Sequence, residues 1–307
     1  MALPLFKRLE HAHLIYPLTT LNKRIGLVQI HTAALLAGFT GLFAKFLDVS
    51  PAVITAGRTV FGSLALLIAA KLMGLSLRVS TRRDMLVLAL SGVVLAIHWF
   101  TFFRSIQIST VAVGLLAFST FPLFVTFLEP LVFRERFHFF DAFTAAVVVV
   151  GLVLICPTFD LGSHITRGVL WGVISGSAYA LLSLLSRSCV RTLSALAVTF
   201  YQQAFAALLV LPAMLSFRGT LSARTLLLLL VLGVVFTALA QALFVGSLRH
   251  IRAQMASVII GLEPVYGILF AVALLHEMPS LRTLLGGVLI CGAVLATTLK
   301  HINLSLP

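Results

Sequence analysis

A carboxylate in the middle of an apolar run is the most chemically pointed feature of this chain. Glu263 stands in AQMASVIIGLEPVYGILFAVALLHE (residues 253–277), a stretch about as long as a bilayer-spanning helix requires, and Pro264 follows it. At that depth a charge costs roughly 2.5 to 3.5 kcal/mol, and the proline withdraws a helix hydrogen bond beside it. The pair needs a polar interior to face. There Glu263 can orient a substrate amine, pair with a cation or carry a coupling proton; the bland alternative is a satisfied hydrogen bond within a helix bundle. Arg58, in ITAGRTVFGSLALL, is the matching cation. Its guanidinium can hold a carboxylate or phosphate in a bidentate fork, snorkel to the surface, or pair with Glu263.

Aromatic and amide side chains complete the candidate substrate-binding set. His98 and Trp99 lie in AIHWFTFFRSI with Phe102 one turn on, an imidazole beside an indole that can clamp an amphipathic or aromatic solute. Packing alone would also explain them. Tyr179, Gln202, Gln241 and Tyr266 are the remaining candidates. Glu135 and Glu277 close apolar segments at the membrane surface and are read as capping or loop-pairing groups, with gating as the alternative. For Glu129, in FLEPLVF, the structural reading is an ion pair with Arg134 or Arg136.

Enzyme chemistry has no foothold in these residues. The chain carries no HExxH, GxSxG or Walker motif and no paired acids at catalytic spacing, and His11 and His13 form only HxH in a polar tail. Cys156, Cys189 and Cys291 lack CxxC or Cys/His spacing and read as small buried residues. Neither a metal nor a cofactor is expected.

The elements that must position these groups follow from composition. With 307 residues, 60% of them hydrophobic, 10% charged and a mean hydropathy of +1.12, no soluble core could hide the apolar surface. The chain reads as an all-α integral membrane protein whose first partner is the lipid bilayer. Its net charge of +13 does not point to nucleic acid, because the basic residues come in twos and threes between apolar runs. Ten apolar segments are expected, near 26–46, 52–73, 84–104, 110–132, 139–156, 167–187, 194–215, 224–246, 253–275 and 282–300. No signal-peptide cleavage pattern precedes them, so the first is expected to be retained as an anchor.

Those segments repeat. Sliding the sequence by 142 positions lays Pro264 on Pro122, Glu277 on Glu135, Ser247 on Ser105 and Phe244 on Phe102. Identity is sparse, but helix limits, mid-helix prolines and terminal glutamates come into register together. The same offset lays Gln241 on Trp99, and Gln202 falls roughly opposite Arg58. Short-loop Lys and Arg number fifteen on one side and six on the other, which places both termini in the cytoplasm. Five segments per half is odd, so the second half must be inverted, the plan of secondary transporters with a midplane site between the repeats. Pro122 and Pro264 are the expected helix breaks. The division is a cytoplasmic segment 1–25, repeats 26–156 and 157–300, and a cytoplasmic tail 301–307.

The runs SIQISTVAVGLLAFSTFPLFVTFLEPLVFRE (105–135) and SLRHIRAQMASVIIGLEPVYGILFAVALLHE (247–277) resemble the ten-helix, EamA-type transporters of the drug/metabolite transporter superfamily. Each looks like that family's small-residue helix, central proline and terminal glutamate, and Arg58 looks like the arginine the family often carries in its second helix. The resemblance covers roughly 26–300. It implies a multi-pass plasma (inner) membrane transporter, a monomer or homodimer, that takes a small-molecule substrate and no nucleic acid. Cargo across the superfamily ranges over amino acids, nucleotide sugars, sugar phosphates and organic cations. The residues favour export or exchange of an amino acid or related zwitterion, with a coupling proton as a candidate partner. A membrane scaffold or channel is the alternative outside transport.

Overall fold

The computed structural model describes residues 20–304 except 80, 134–138, 157–159, 191 and 252. His11, His13, Arg134, Glu135 and Arg136 lie outside the described residues, as does the side chain of Glu129. Every regular element among the described residues is helical. The first half runs α1 (Thr20–Thr40), α2 (Phe43–Phe46), α3 (Pro51–Leu72), α4 (Arg82–Ile108), α5 (Val111–Phe118), α6 (Phe121–Phe133) and α7 (Phe139–Ile155). The second runs α8 (His164–Cys189), α9 (Ala195–Leu215), α10 (Ala223–Gly233), a π turn (Val234–Leu239), α11 (Ala240–Ser247), α12 (Ala253–Ile260), α13 (Glu263–Phe270), a second π turn (Ala271–Leu275) and α14 (Leu281–Leu304). Among the described residues six stretches are long and apolar enough to cross a membrane: Lys23–Phe46, Pro51–Leu72, Arg82–Ile108, His164–Cys189, Ala195–Leu215 and Ala223–Ser247. Four shorter apolar helices accompany them: Val111–Val125, Phe143–Ile155, Glu263–Leu275 and Leu281–Ala293. This is a multi-pass membrane protein.

The helix limits have local causes. Ser50, Thr81, Thr110, Ser163, Ser194 and Ser222 each stand at an N-cap, where the side-chain oxygen accepts a backbone N–H three residues on and satisfies one orphan donor. The two breaks coincide with the prolines. A turn at Ser119 and Thr120 separates α5 from α6, in which Pro122 is the second residue. A turn at Gly261 and Leu262 separates α12 from α13, which starts Glu263–Pro264. Proline lacks the N–H and clashes with the preceding turn, so at these two positions it sits in the first turn of the helix that follows the break.

Close packing then brings the pieces together. Helix α1 lies against α11, α12 and α13, and α8 lies in the corresponding way against α4, α5 and α6. Helix α3 pairs with α9, and α7 with α14. Glycine permits the tightest approaches. A Cβ on Gly38 of α1 would come within 2.7 Å of Tyr266 Cβ and 2.9 Å of the Glu263 carbonyl oxygen; one on Gly62 of α3 would meet the Gly233 oxygen at 3.2 Å. Large apolar side chains such as Leu72, Leu86, Leu208, Leu227 and Leu269 remain exposed on the helix faces, as lipid-facing side chains do.

Candidate functional site

A cavity of about 50 Å³ lies where these helices converge. Its walls come from α1 (Ala33, Ala37, Thr40), α3 (Arg58), α4 (His98, Trp99, Phe102), α5 (Phe118) and α8 (Tyr179). The π turn adds Phe236 and Thr237, α11 adds Ala240, Gln241 and Phe244, and α12 and α13 add Ile260 and Glu263. Breaking the ninth apolar segment at Pro264 makes Glu263 the first residue of α13, so its carboxylate lies inside the bundle at a helix N-terminus.

Arg58 is held in place yet left incomplete. It is 2% exposed, its Nε donates to Thr237 Oγ1 at 3.0 Å, and its guanidinium carbon lies 3.8 Å from the Trp99 ring centroid and 5.2 Å from that of Phe103. Thr237 Oγ1 in turn donates to the Leu232 carbonyl at 2.6 Å. The cation is thereby stacked on an indole face and tethered at one nitrogen. Its Nη1 is buried with no hydrogen-bond partner. Glu263, 5% exposed, interacts electrostatically with Arg58 across the cavity, but no ion pair or hydrogen bond engages its carboxylate among the described residues. Arg58 and Glu263 therefore line one small space with no ion pair or hydrogen bond between them among the described residues.

The aromatic wall is fixed from α8. His98 Nδ1 lies 2.8 Å from Ser175 Oγ, while that hydroxyl donates to the His98 carbonyl at 3.1 Å. The imidazole packs against Tyr179 (4.8 Å between centroids), Phe118 (5.3 Å) and Phe102 (5.9 Å), and Tyr179 packs against Phe244 (5.5 Å). Gln241 Nε2 is buried and has no partner.

Of the residues picked from sequence, Arg58, His98, Trp99, Phe102, Tyr179, Gln241 and Glu263 come together at this cavity. Gln202 does not. It faces the α8–α9 contact, where its Nε2 donates to Ser186 Oγ at 2.9 Å, and no residue of α9 lines the cavity. Tyr266 does not line the cavity either; three residues beyond Glu263 it is carried round α13 onto Gly38 of α1. Glu277 stands far from the cavity and accepts the Val111 N–H at 2.8 Å, joining the end of the ninth apolar segment to the start of α5.

The EamA-like transporter family model matches this chain twice, over residues 24–156 and 166–299. The chain belongs to the EamA-like transporter family. Curated relatives agree: it is 28% identical over 272 residues to an uncharacterized transporter of Archaeoglobus fulgidus, covering 89% of this chain and 96% of that one. It is also 23% identical over 225 residues to the uncharacterized transporter YxxF of Bacillus subtilis, 72% of each chain. A solved structure titled only "Crystal structure of protein" superimposes with a TM-score of 0.67 at 19% identity, over 90% of this chain and 99% of that one, so the two share a fold. Family and relatives' names together point to a membrane transporter.

Sequence reading missed Thr237, Phe118 and Phe236 at this EamA-family site. Phe118 sits in GLLAFST, which reads as a helix-packing stretch, and Thr237 is one hydroxyl in a leucine- and valine-rich run. The available signal for Thr237 was that a lone threonine at mid-span, opposite an intramembrane arginine, has few other polar partners to find.

Proposed function

We propose that this EamA-family protein is a secondary transporter that exports or exchanges a small amphipathic metabolite, an amino acid or related zwitterion, by alternating access around the central cavity. The observation that carries the reading is the unpartnered, buried Arg58 Nη1 lining the same space as a Glu263 carboxylate without an ion pair. A zwitterion supplies both missing partners at once: its carboxylate to Arg58, its ammonium to Glu263, its side chain to the His98, Trp99 and Phe118 wall. Nucleotide sugars and sugar phosphates fit less well, since Arg58 is the one permanently charged cation among the lining residues and a phosphate ester asks for more.

The six long and four shorter apolar helices are read as ten spans in two five-helix repeats, the second inverted. Support comes from the exchanged packing of α1 on α11 to α13 and of α8 on α4 to α6. Both termini then lie in the cytoplasm, and the membrane is the inner one. At about 50 Å³ the cavity has room for a few waters and must widen to admit a metabolite. Alternating access supplies that widening.

A thermal-shift titration of the purified protein with amino acids, sugar phosphates and organic cations tests the substrate class, because a ligand stabilises the state it binds. Amino acids are expected to raise the melting temperature, and amidated or N-acetylated analogues are not. Stabilisation by sugar phosphates alone would overturn the reading. Glu263→Gln separates the acid's two possible roles. Loss of gradient-driven accumulation with exchange retained marks a proton carrier, whereas weakened binding in both modes marks a substrate contact.

A further inference from the structure

Two observations apart from the ligand contacts meet at Phe236. The first is a knot of rings. Phe236 stacks on Phe39 with centroids 5.0 Å apart and planes 16° from parallel, touches Phe43 at 5.2 Å, and Phe39 in turn meets Phe270 at 5.1 Å. One end of the knot lines a void, and the other adjoins in sequence the lining of a second. Phe236 lines the central cavity, and Phe43 directly precedes Ala44 and Lys45, which with Asp48 and Gln107 line a second hollow of about 580 Å³.

The second observation is the backbone that carries Phe236. Val234–Leu239 is a π turn inside an otherwise α-helical span, and Thr237 marks it by reaching back five residues to the Leu232 carbonyl. Such turns are rare, and they occur most often at functional positions where a helix must change register or bend. Thr40 of α1 also donates to the Phe236 carbonyl at 3.4 Å. One six-residue segment thus holds both the stacked ring and, through Thr237, the tether of Arg58.

We infer that the Val234–Leu239 turn is the gate on the Lys45 and Asp48 side of the cavity. Phe236 closes the path, and Thr237 couples it to Arg58, so that a carboxylate taken by the guanidinium weakens the tether and lets the turn relax toward α-helix. The barrier stands on the ring geometry alone; the coupling rests on the zwitterion reading. The sequence counterparts of these four rings in the other half are aliphatic. The 142-position offset lays Phe39, Phe43, Phe236 and Phe270 on Leu181, Leu185, Val94 and Leu128, so four rings face four aliphatic counterparts. Val94 lies in the uninterrupted helix α4, which has no π turn. Stacked rings hold their relative orientation in a way that aliphatic side chains do not, so this side is expected to open as a discrete step.

Thiol accessibility in membrane vesicles tests the barrier. A cysteine at Ala240, on the cavity wall, in a background with Cys156, Cys189 and Cys291 changed to serine, is exposed to a membrane-impermeant reagent from the Lys45 side. Phe236→Ala, and the milder Phe236→Leu should the former fold poorly, are expected to speed labelling roughly two- to tenfold, the loss of one aromatic pair. Leu128→Ala, on the opposite side, is expected to leave it unchanged. Equal rates in the parent and both Phe236 variants would overturn the gate. The coupling is read with an environment-sensitive fluorophore on Leu239→Cys and an equimolar mixture of amino acids as probe. The mixture is expected to shift emission in the parent but not when Thr237→Val is added. An equal shift in both overturns the coupling. No shift in the parent overturns the coupling together with the zwitterion reading, while the labelling rates still decide the barrier.

Discussion

At the scale of the residue, the site is an arginine with one hydrogen-bonding edge occupied and one free, close to an acid that has not neutralised it. Because Arg58 rests on the Trp99 ring and is tethered at Nε by Thr237, its Nη1 is presented in a fixed direction. Replacing Glu263 by Gln removes a charge-assisted contact worth about 1.5 to 3 kcal/mol, so affinity for a zwitterion should fall roughly 10- to 100-fold in calorimetric titration. Retained affinity and retained accumulation would reduce Glu263 to a structural group. Trp99→Ala should weaken binding roughly two- to thirtyfold in the folded fraction, since a cation–π contact contributes about 0.5 to 2 kcal/mol. Wild-type binding in both Trp99→Ala and Gln241→Ala would place the solute elsewhere. Glu263, Arg58, His98 and Trp99 were legible in the sequence because charged and polar groups deep in apolar runs are costly unless they share an interior. Phe236 was not, since a phenylalanine in a leucine-rich span costs nothing that would single it out, and Thr237 carried only the weak signal of a lone mid-span hydroxyl.

At the scale of the element, the prolines and glycines decide where the acid stands. The breaks before Phe121 and Glu263 follow from Pro122 and Pro264 and could be read from the sequence to within a residue or two. Both π turns could not, because a single-residue register change leaves the hydrophobic pattern almost intact. Nor could the facing of Gln202 and Tyr266, since a helix that is apolar nearly all round does not show in its sequence which face meets the cavity. Gly38 lets α1 close on α13 directly over the Glu263 carbonyl. Gly38→Val should push α13 outward at a cost of about 1 to 3 kcal/mol, lowering thermal stability and binding together. Gly292, whose added Cβ would meet nothing, is the control: Gly292→Ala should alter neither. A tolerated Gly38→Val would mean that the crossing does not set the position of the acid.

At the scale of the whole molecule, membership of the EamA-like transporter family and the multi-pass helical fold were both within reach of the sequence, through hydropathy, the mid-helix prolines and the terminal glutamates. Orientation is a separate matter, resting on the bias of Lys and Arg between loops. A cysteine at Ser163 should react with impermeant reagent from outside intact cells, and one at Ser76 only after permeabilisation; the reverse pattern would invert the topology. The central claim, that the Arg58–Glu263 cavity carries a zwitterion, is tested most directly by counterflow of radiolabelled amino acids in proteoliposomes. Saturable exchange is expected, competed by free amino acids but not by their amides or N-acetyl derivatives, and lowered at sub-saturating substrate by Glu263→Gln. Exchange that the blocked derivatives compete equally well, or that Glu263→Gln and Arg58→Gln leave at full rate, would contradict it.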